Sequence, residues 1–150
     1  MRKLLFIVAV IALVGWLKSN HHRTAQYIPS GSVAERSTSK GDSIVAEAYA
    51  NHRSNLQVSG NGVVVKVLSD DNEGSRHQRF ILELASGQTL LVAHNIDIAP
   101  RIDGLRQGDS IQYCGEYAWN SKGGVIHWTH HDPSGSHPAG WLKHNGQMYR

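Results

Sequence analysis

From residue 56 to residue 129 the chain alternates short apolar runs, rich in β-branched residues, with polar turns that contain glycine, and this texture predicts strands. Residues 62–68 (Gly-Val-Val-Val-Lys-Val-Leu) form the first run, closed by the acidic turn Ser69-Asp70-Asp71-Asn72-Glu73-Gly74. Residues 79–85 and 88–93 follow, joined by Ser86-Gly87, so the three runs make an antiparallel meander. Over residues 98–106, Pro100 is followed by Ile102 and Leu105 at helical spacing, which predicts one or two helical turns ended by Gly108-Asp109. Residues 110–119 and 125–129 supply two more strands around Asn120-Ser121-Lys122-Gly123-Gly124. Three strands, a short helix and two strands is the element order of the OB fold, a five-stranded Greek-key barrel. The expected fold class is therefore all-β with small α content. It is an OB-like barrel with a short helix between strands 3 and 4, preceded by an N-terminal hydrophobic helix.

Upstream the pattern changes. Met1-Arg2-Lys3 is a short positive start, and residues 4–17 are an almost unbroken apolar run before Lys18. Its 14 residues fall short of the roughly 20 that a spanning helix usually needs, which is the build of a signal-peptide apolar region or a short anchor. Ser19-Asn20-His21-His22-Arg23 offers no small-x-small cleavage site, which favours an uncleaved anchor over a removed signal. Residues 19–53 read as a flexible tether, rich in Ser, Gly, His and Thr, with a short helix near its end. Asp42 is the expected cap of that helix, with Ile44, Ala48 and Val45, Tyr49 at helical spacing. The organisation expected is thus anchor or signal at 1–18, tether at 19–53, and an OB-like domain with a histidine-rich tail at 54–150. These features place the protein at the inner membrane facing the periplasm, or secreted if the segment is cleaved.

Charge divides along the same boundary. Residues 1–53 carry seven Lys/Arg against three Asp/Glu, a balance of +4, whereas residues 54–150 carry eight against nine, a balance of −1. The basic tail suits anionic head groups beside an anchor. A domain that grips phosphates would concentrate Lys and Arg on itself, so nucleic acid is not a favoured partner. Cys114 stands alone, so no internal disulfide is available and it reads as a small strand hydrophobe.

Candidate chemistry gathers in the C-terminal third. Gly123-Gly124-Val125-Ile126-His127-Trp128-Thr129-His130-His131-Asp132-Pro133 packs three histidines and a carboxylate into six residues at a strand end. With His77-Gln78-x-Phe80, His94-Asn95-Ile96-Asp97 and Gly115-Glu116-Tyr117-x-Trp119-Asn120, it carries a resemblance over residues 56–150 to a bacterial family of short, N-terminally hydrophobic proteins known only as a domain of unknown function. That resemblance implies the domain boundary and brings no activity. Gly62 opening the first strand, and Leu105-x-x-Gly108-Asp109-x-Ile111-x-x-x-Gly115 entering the fourth, resemble the phrasing of OB domains, whose glycines let the barrel bend.

Strand alternation puts His127 and Thr129 on one face and Trp128 and His130 on the other. A metal reading joins His94, His127, His131 and Asp132 around a divalent ion such as Zn or Cu, since neutral imidazole with carboxylate suits those ions. A binding reading lines the barrel mouth with His94, Asn95, Asp97, Trp128 and His130. Structural histidines, and acid/base chemistry without metal, stay open beside both; no catalytic residue is assigned. Tyr113, Tyr117 and Trp119 share strand parity, as a core requires, and Trp141 and Tyr149 are expected to fold back over the barrel. Two function classes follow. One is a membrane-tethered, extracytoplasmic OB-like binding module for a small ligand, a metal or a partner protein. The other is a divalent-metal-dependent hydrolase of phosphodiesters, which leans on analogy between folds.

Overall fold

The computed structural model describes residues 39–150, so the apolar run 4–17 and tether residues 19–38 lie outside it. Among the described residues no helix is long and apolar enough to cross a membrane. The elements in chain order are α1 (Lys40–Ala50), β1 (Leu56–Val67), β2 (His77–Glu83), β3 (Thr89–Asn95), β4 (Ser110–Ala118), β5 (Val125–His127), β6 (Trp141–His144) and β7 (Gln147–Tyr149).

A closed barrel runs β1-β2-β3-β5-β4, and β1 returns to β4 to complete the ring. The β3–β5 pair is parallel, through Leu91↔Val125 and Val92↔Ile126, and the other pairs are antiparallel. This is the OB-like arrangement that the strand order predicts. β1 serves two neighbours: its first part pairs with β4 from Leu56↔Tyr117 to Val63↔Ser110, and its last part pairs with β2 after an irregularity between Val64 and Lys66. Gly62 sits at the handover, where a Cβ would stand 2.8 Å from the Glu83 carbonyl oxygen, so the two backbones approach only because it is glycine.

Strict alternation in β2 and β3 sends Phe80, Leu82, Leu90 and Val92 inward, where they are fully buried with Ile111, Tyr113 and Tyr117 of β4 and Ile126 of β5. Each such side chain contributes about 1.5–3 kcal/mol of transfer free energy, so the ring is held mainly by its contents.

Five local expectations change. Residues 96–109 form turns rather than a short helix. The buried Gln78 explains this, because its amide Nε2 donates to Ile102 O and its Oε1 accepts from Ile102 N, both at 2.9 Å. A side chain has taken both backbone groups of Ile102 that a helix would use, and Ile102 and Leu105 still pack in the core as the spacing foresees.

Helix α1 is capped by Ser39, not Asp42: the Ser39 hydroxyl accepts from Asp42 N at 3.1 Å and donates to Asp42 Oδ1 at 2.7 Å. Nor does the helix belong to a tether. Val45 and Ala48 are buried in the barrel's own core cluster, so the compact domain starts before residue 54.

The polar tail after Pro138 contains a hairpin, β6–β7, that continues the sheet from the edge of β4 through Ile111↔His144 to Cys114↔Trp141. Its two-residue turn, Asn145-Gly146, has φ of 49° and 83°, the mirror-image turn for which Asn-Gly is the preferred pair. Finally, β5 stops at His127 because Trp128 adopts φ of 51° and breaks the alternation expected through Thr129.

Candidate functional site

Each polar residue singled out above has a definite place. His94 points into the barrel beside Gln78 and is fully buried. Its Nε2 lies 3.1 Å from Pro100 O, which can only accept, so Nε2 carries the proton and Nδ1 accepts from the Thr129 hydroxyl at 2.8 Å. Burial lowers its pKa from 6.5 to about 4, against the opposing pull of the Pro100 bond. The ring is a neutral strut that ties β3 to the 96–102 turn and to the chain beyond β5. Asn95 and Asp97 shape the adjoining turn: Asn95 Oδ1 accepts from Asp97 N, and Asp97 accepts from Arg76 N at 2.7 Å and Arg76 Nε at 2.6 Å. These Arg76 bonds, the backbone one first, hold the Asp97 carboxyl below its ordinary range.

Beyond β5, Asp132 organises a tight loop. Oδ1 accepts from Ser134 Oγ and N, and Oδ2 from Ser136 Oγ and His137 N, all within 2.6–2.9 Å. The Ser134 hydroxyl heads the causes that push this carboxyl well below its usual value. The loop brings His137 back over Trp128, with ring centroids 4.2 Å apart and planes at 27°. His130, buried, donates from Nδ1 to His131 O and meets both rings edge-on, 5.8 Å from Trp128 and 5.0 Å from His137. Trp128 nonetheless stays 38% exposed.

The four residues of the metal reading are thus not drawn to one point. His94 has both ring nitrogens engaged inside the barrel, Asp132 has both oxygens engaged in its own loop, His131 is exposed, and His127 looks out from β5. Among the described residues no group of three or more His, Cys, Asp or Glu side chains is placed to hold an ion together. His144 is also spoken for, with Nε2 3.0 Å from Asp109 Oδ2.

His127 leads to a different place. On the outer face of the sheet lies an open groove of about 400 Å³. Its floor is Leu91 and Ala93 of β3, Ala118 of β4 and Val125 of β5, the outward partners of the core residues. Its polar rim is Asp71 from the β1–β2 turn, His77 and Arg79 of β2, and His127. His77 Nδ1 donates to Ser75 O at 2.7 Å, so the neutral ring keeps Nε2 as an acceptor. Arg79 donates from Nε to Ser69 O at 3.1 Å and holds Nη1 3.6 Å from Asp71 Oδ2.

His127 Nε2 lies 3.3 Å from Glu116 Oε1, across the β4–β5 pair. The contact falls short of a well-aligned hydrogen bond, so this buried nitrogen is held only loosely by the Glu116 carboxylate. Burial lowers the ring's pKa, and Glu116 opposes the shift. A second hollow of about 210 Å³ shares Leu91 and reaches Asn120 and Lys122 in the β4–β5 turn. The two hollows together run between the β1–β2 and β4–β5 turns, over the face where OB barrels hold their ligands.

Sequence reasoning chose His127 and Trp128 but missed Asp71, His77 and Arg79. The available signal was the alternation of β2, which places His77 and Arg79 on the face opposite Phe80 and Leu82. Trp119 packs away from this site, against His52 at 4.3 Å, and donates from Nε1 to Tyr49 O.

Comparison with curated proteins and with solved structures returned no match. A family model does match, over residues 28–150, and its description is "Protein of unknown function (DUF3465)". Because that match covers most of the sequence, including every element of the barrel, the chain belongs to the DUF3465 family of proteins of unknown function.

Proposed function

We propose that this protein is a membrane-tethered binding module. Its barrel holds a small ligand in the groove over β2, β3, β5 and the end of β4, and its apolar run at residues 4–17 anchors it at the inner membrane with the barrel on the periplasmic side. One observation carries the reading: His127 Nε2 is buried at the rim of an open groove with no well-aligned hydrogen bond, the Glu116 carboxylate standing 3.3 Å away. A polar atom left fully unpartnered costs about 1–3 kcal/mol; Glu116 offsets part of that here, and a ligand group that bonds Nε2 squarely recovers the rest. The apolar floor with a few convergent polar groups has the make-up of a small-molecule site.

Imidazole nitrogen NMR during a fragment screen tests this. Bound fragments should move the His77 and His127 signals together, leave His94 fixed, and lose their effect in His127→Ala. Fragments that map elsewhere, or a screen in which neither signal moves, would overturn the assignment. Zinc chloride belongs in the same titration. Uptake of one equivalent with joint broadening of His127 and His131 would make the site a metal centre instead.

A further inference from the structure

We infer that the groove takes a neutral pyranose unit of a glycan chain, with Trp128 as the stacking platform beside its rim; this rests on the groove being the binding face. The electrostatics come first. At the rim Arg79 is paired with Asp71, and His127, whose pKa burial lowers, stands as a neutral ring beside Glu116, so the groove concentrates no unpaired cations. A polyphosphate ligand requires concentrated unpaired cations. A sugar hydroxyl both donates and accepts, and it is matched by donors and acceptors side by side. Asp71 and His77 Nε2 accept, the free Arg79 N–H groups donate, and His127 Nε2 does either according to tautomer.

The floor adds shape. Ala93 and Ala118 are short, so the surface between Leu91 and Val125 is shallow and apolar, as the C–H face of a pyranose needs.

Trp128 supplies the second, independent observation. Its ring lies 5.3 Å from that of His127, beside the groove's rim and outside the residues that line it. A bulky residue at positive φ persists only where its surroundings over-determine it, and such residues gather at binding sites. Here the His137 stack holds the ring, and the Gly140 backbone packs against Trp128 O so closely that a Cβ at Gly140 would collide with it. Yet the residue as a whole stays exposed, so part of a rigidly held aromatic side chain remains available.

The test is calorimetry on the full chain in detergent micelles, with cellotetraose and chitotetraose as neutral probes and the oligonucleotide dT8 as a polyanionic one. Their β-1,4-linked rings present flat apolar faces. At least one tetrasaccharide should bind with an affinity that does not change between low and high salt. Trp128→Gly should weaken it by roughly tenfold or more, as loss of an aromatic platform does for stacked bases, while Trp128→Tyr keeps most of it. Glycine is relaxed at this φ, so Trp128→Gly removes the ring without asking the fold to accept strain, and its melting temperature should stay close to wild type.

Equal tetrasaccharide binding by Trp128→Gly would overturn the inference. So would dT8 binding tighter than either sugar and collapsing in high salt. If neither tetrasaccharide binds while fragments still move His77 and His127, the glycan assignment fails and the groove stands. If no probe moves those histidines, both fall.

Discussion

His94 makes the stability of this barrel depend on pH in a way that can be worked out beforehand. In the native state the ring is neutral, buried, and bonded through both nitrogens, with its pKa lowered to about 4. In the unfolded chain it takes up a proton near its ordinary 6.5. Between those values the unfolded state binds more protons, so stability is complete above pH 6.5 and falls as the pH drops toward 4. The full difference corresponds to about 3 kcal/mol, of which about 2 kcal/mol is gone by pH 5. His127, also lowered by burial, acts in the same direction, whereas the depressed carboxyls of Asp97 and Asp132 matter only once the pH reaches the carboxylate range.

A variant therefore isolates the His94 contribution. His94→Gln leaves either the Pro100 carbonyl or the Thr129 hydroxyl unpaired and should cost about 1–3 kcal/mol at pH 7.5. Because glutamine does not titrate, the gap to wild type should shrink by about 2 kcal/mol at pH 5. Urea denaturation of both proteins across that range gives the gap directly. A gap that stays constant from pH 7.5 to 5, or a His94 ring proton that titrates near 6.5 in the native protein, would refute the argument.

Gly124 has φ of 106°, and a Cβ there would run into the Tyr117 ring, so Gly124→Ala should lower stability by about 3 kcal/mol in urea; a loss under about 1 kcal/mol would mean the turn relaxes freely. A chain that begins at residue 54 loses Val45 and Ala48 from the core and should be at least about 3 kcal/mol less stable than one that begins at residue 39; equal melting temperatures would show that α1 is dispensable. Alkaline phosphatase fused after Arg150 should be active in a bacterial host if residues 4–17 direct the barrel outward, and an inactive fusion would reverse the proposed topology.

The barrel was legible because its strands follow simple alternation, as in β2 and β3, and because turn residues such as Ser86-Gly87 separate them. The span 96–109 was not, since Ile102 and Leu105 have helical spacing but Gln78, distant in sequence, competes for the backbone of Ile102. The β6–β7 hairpin carried a readable Asn-Gly turn that the surrounding polar residues obscured. In the candidate site, the histidine-rich run drew attention to ligands whose nitrogens and oxygens are in fact spent inside the fold, His94 and Asp132 above all. Alternation past β5 also failed as a guide, because one positive φ at Trp128 redirects everything after it. The groove itself is assembled from β1–β2, β2, β3, β4 and β5, and no local window contains it.

The closure of the ring sets how the chain must fold in time. The β2–β3 hairpin pairs neighbours, Glu83 with Thr89, but the seam joins residues as distant as Leu56 and Tyr117, and β3 meets β5 in parallel only after all of β4 has been laid down. Contacts of such long range repay their loop-closure entropy late, so folding should be slow for a chain of this size, in milliseconds to seconds, with the seam as its final step. The groove itself appears only once β5 has docked between β3 and β4, because its floor takes Leu91 and Ala93, Ala118 and Val125 from those three strands. A half-folded molecule would have a core in formation and nothing with which to bind.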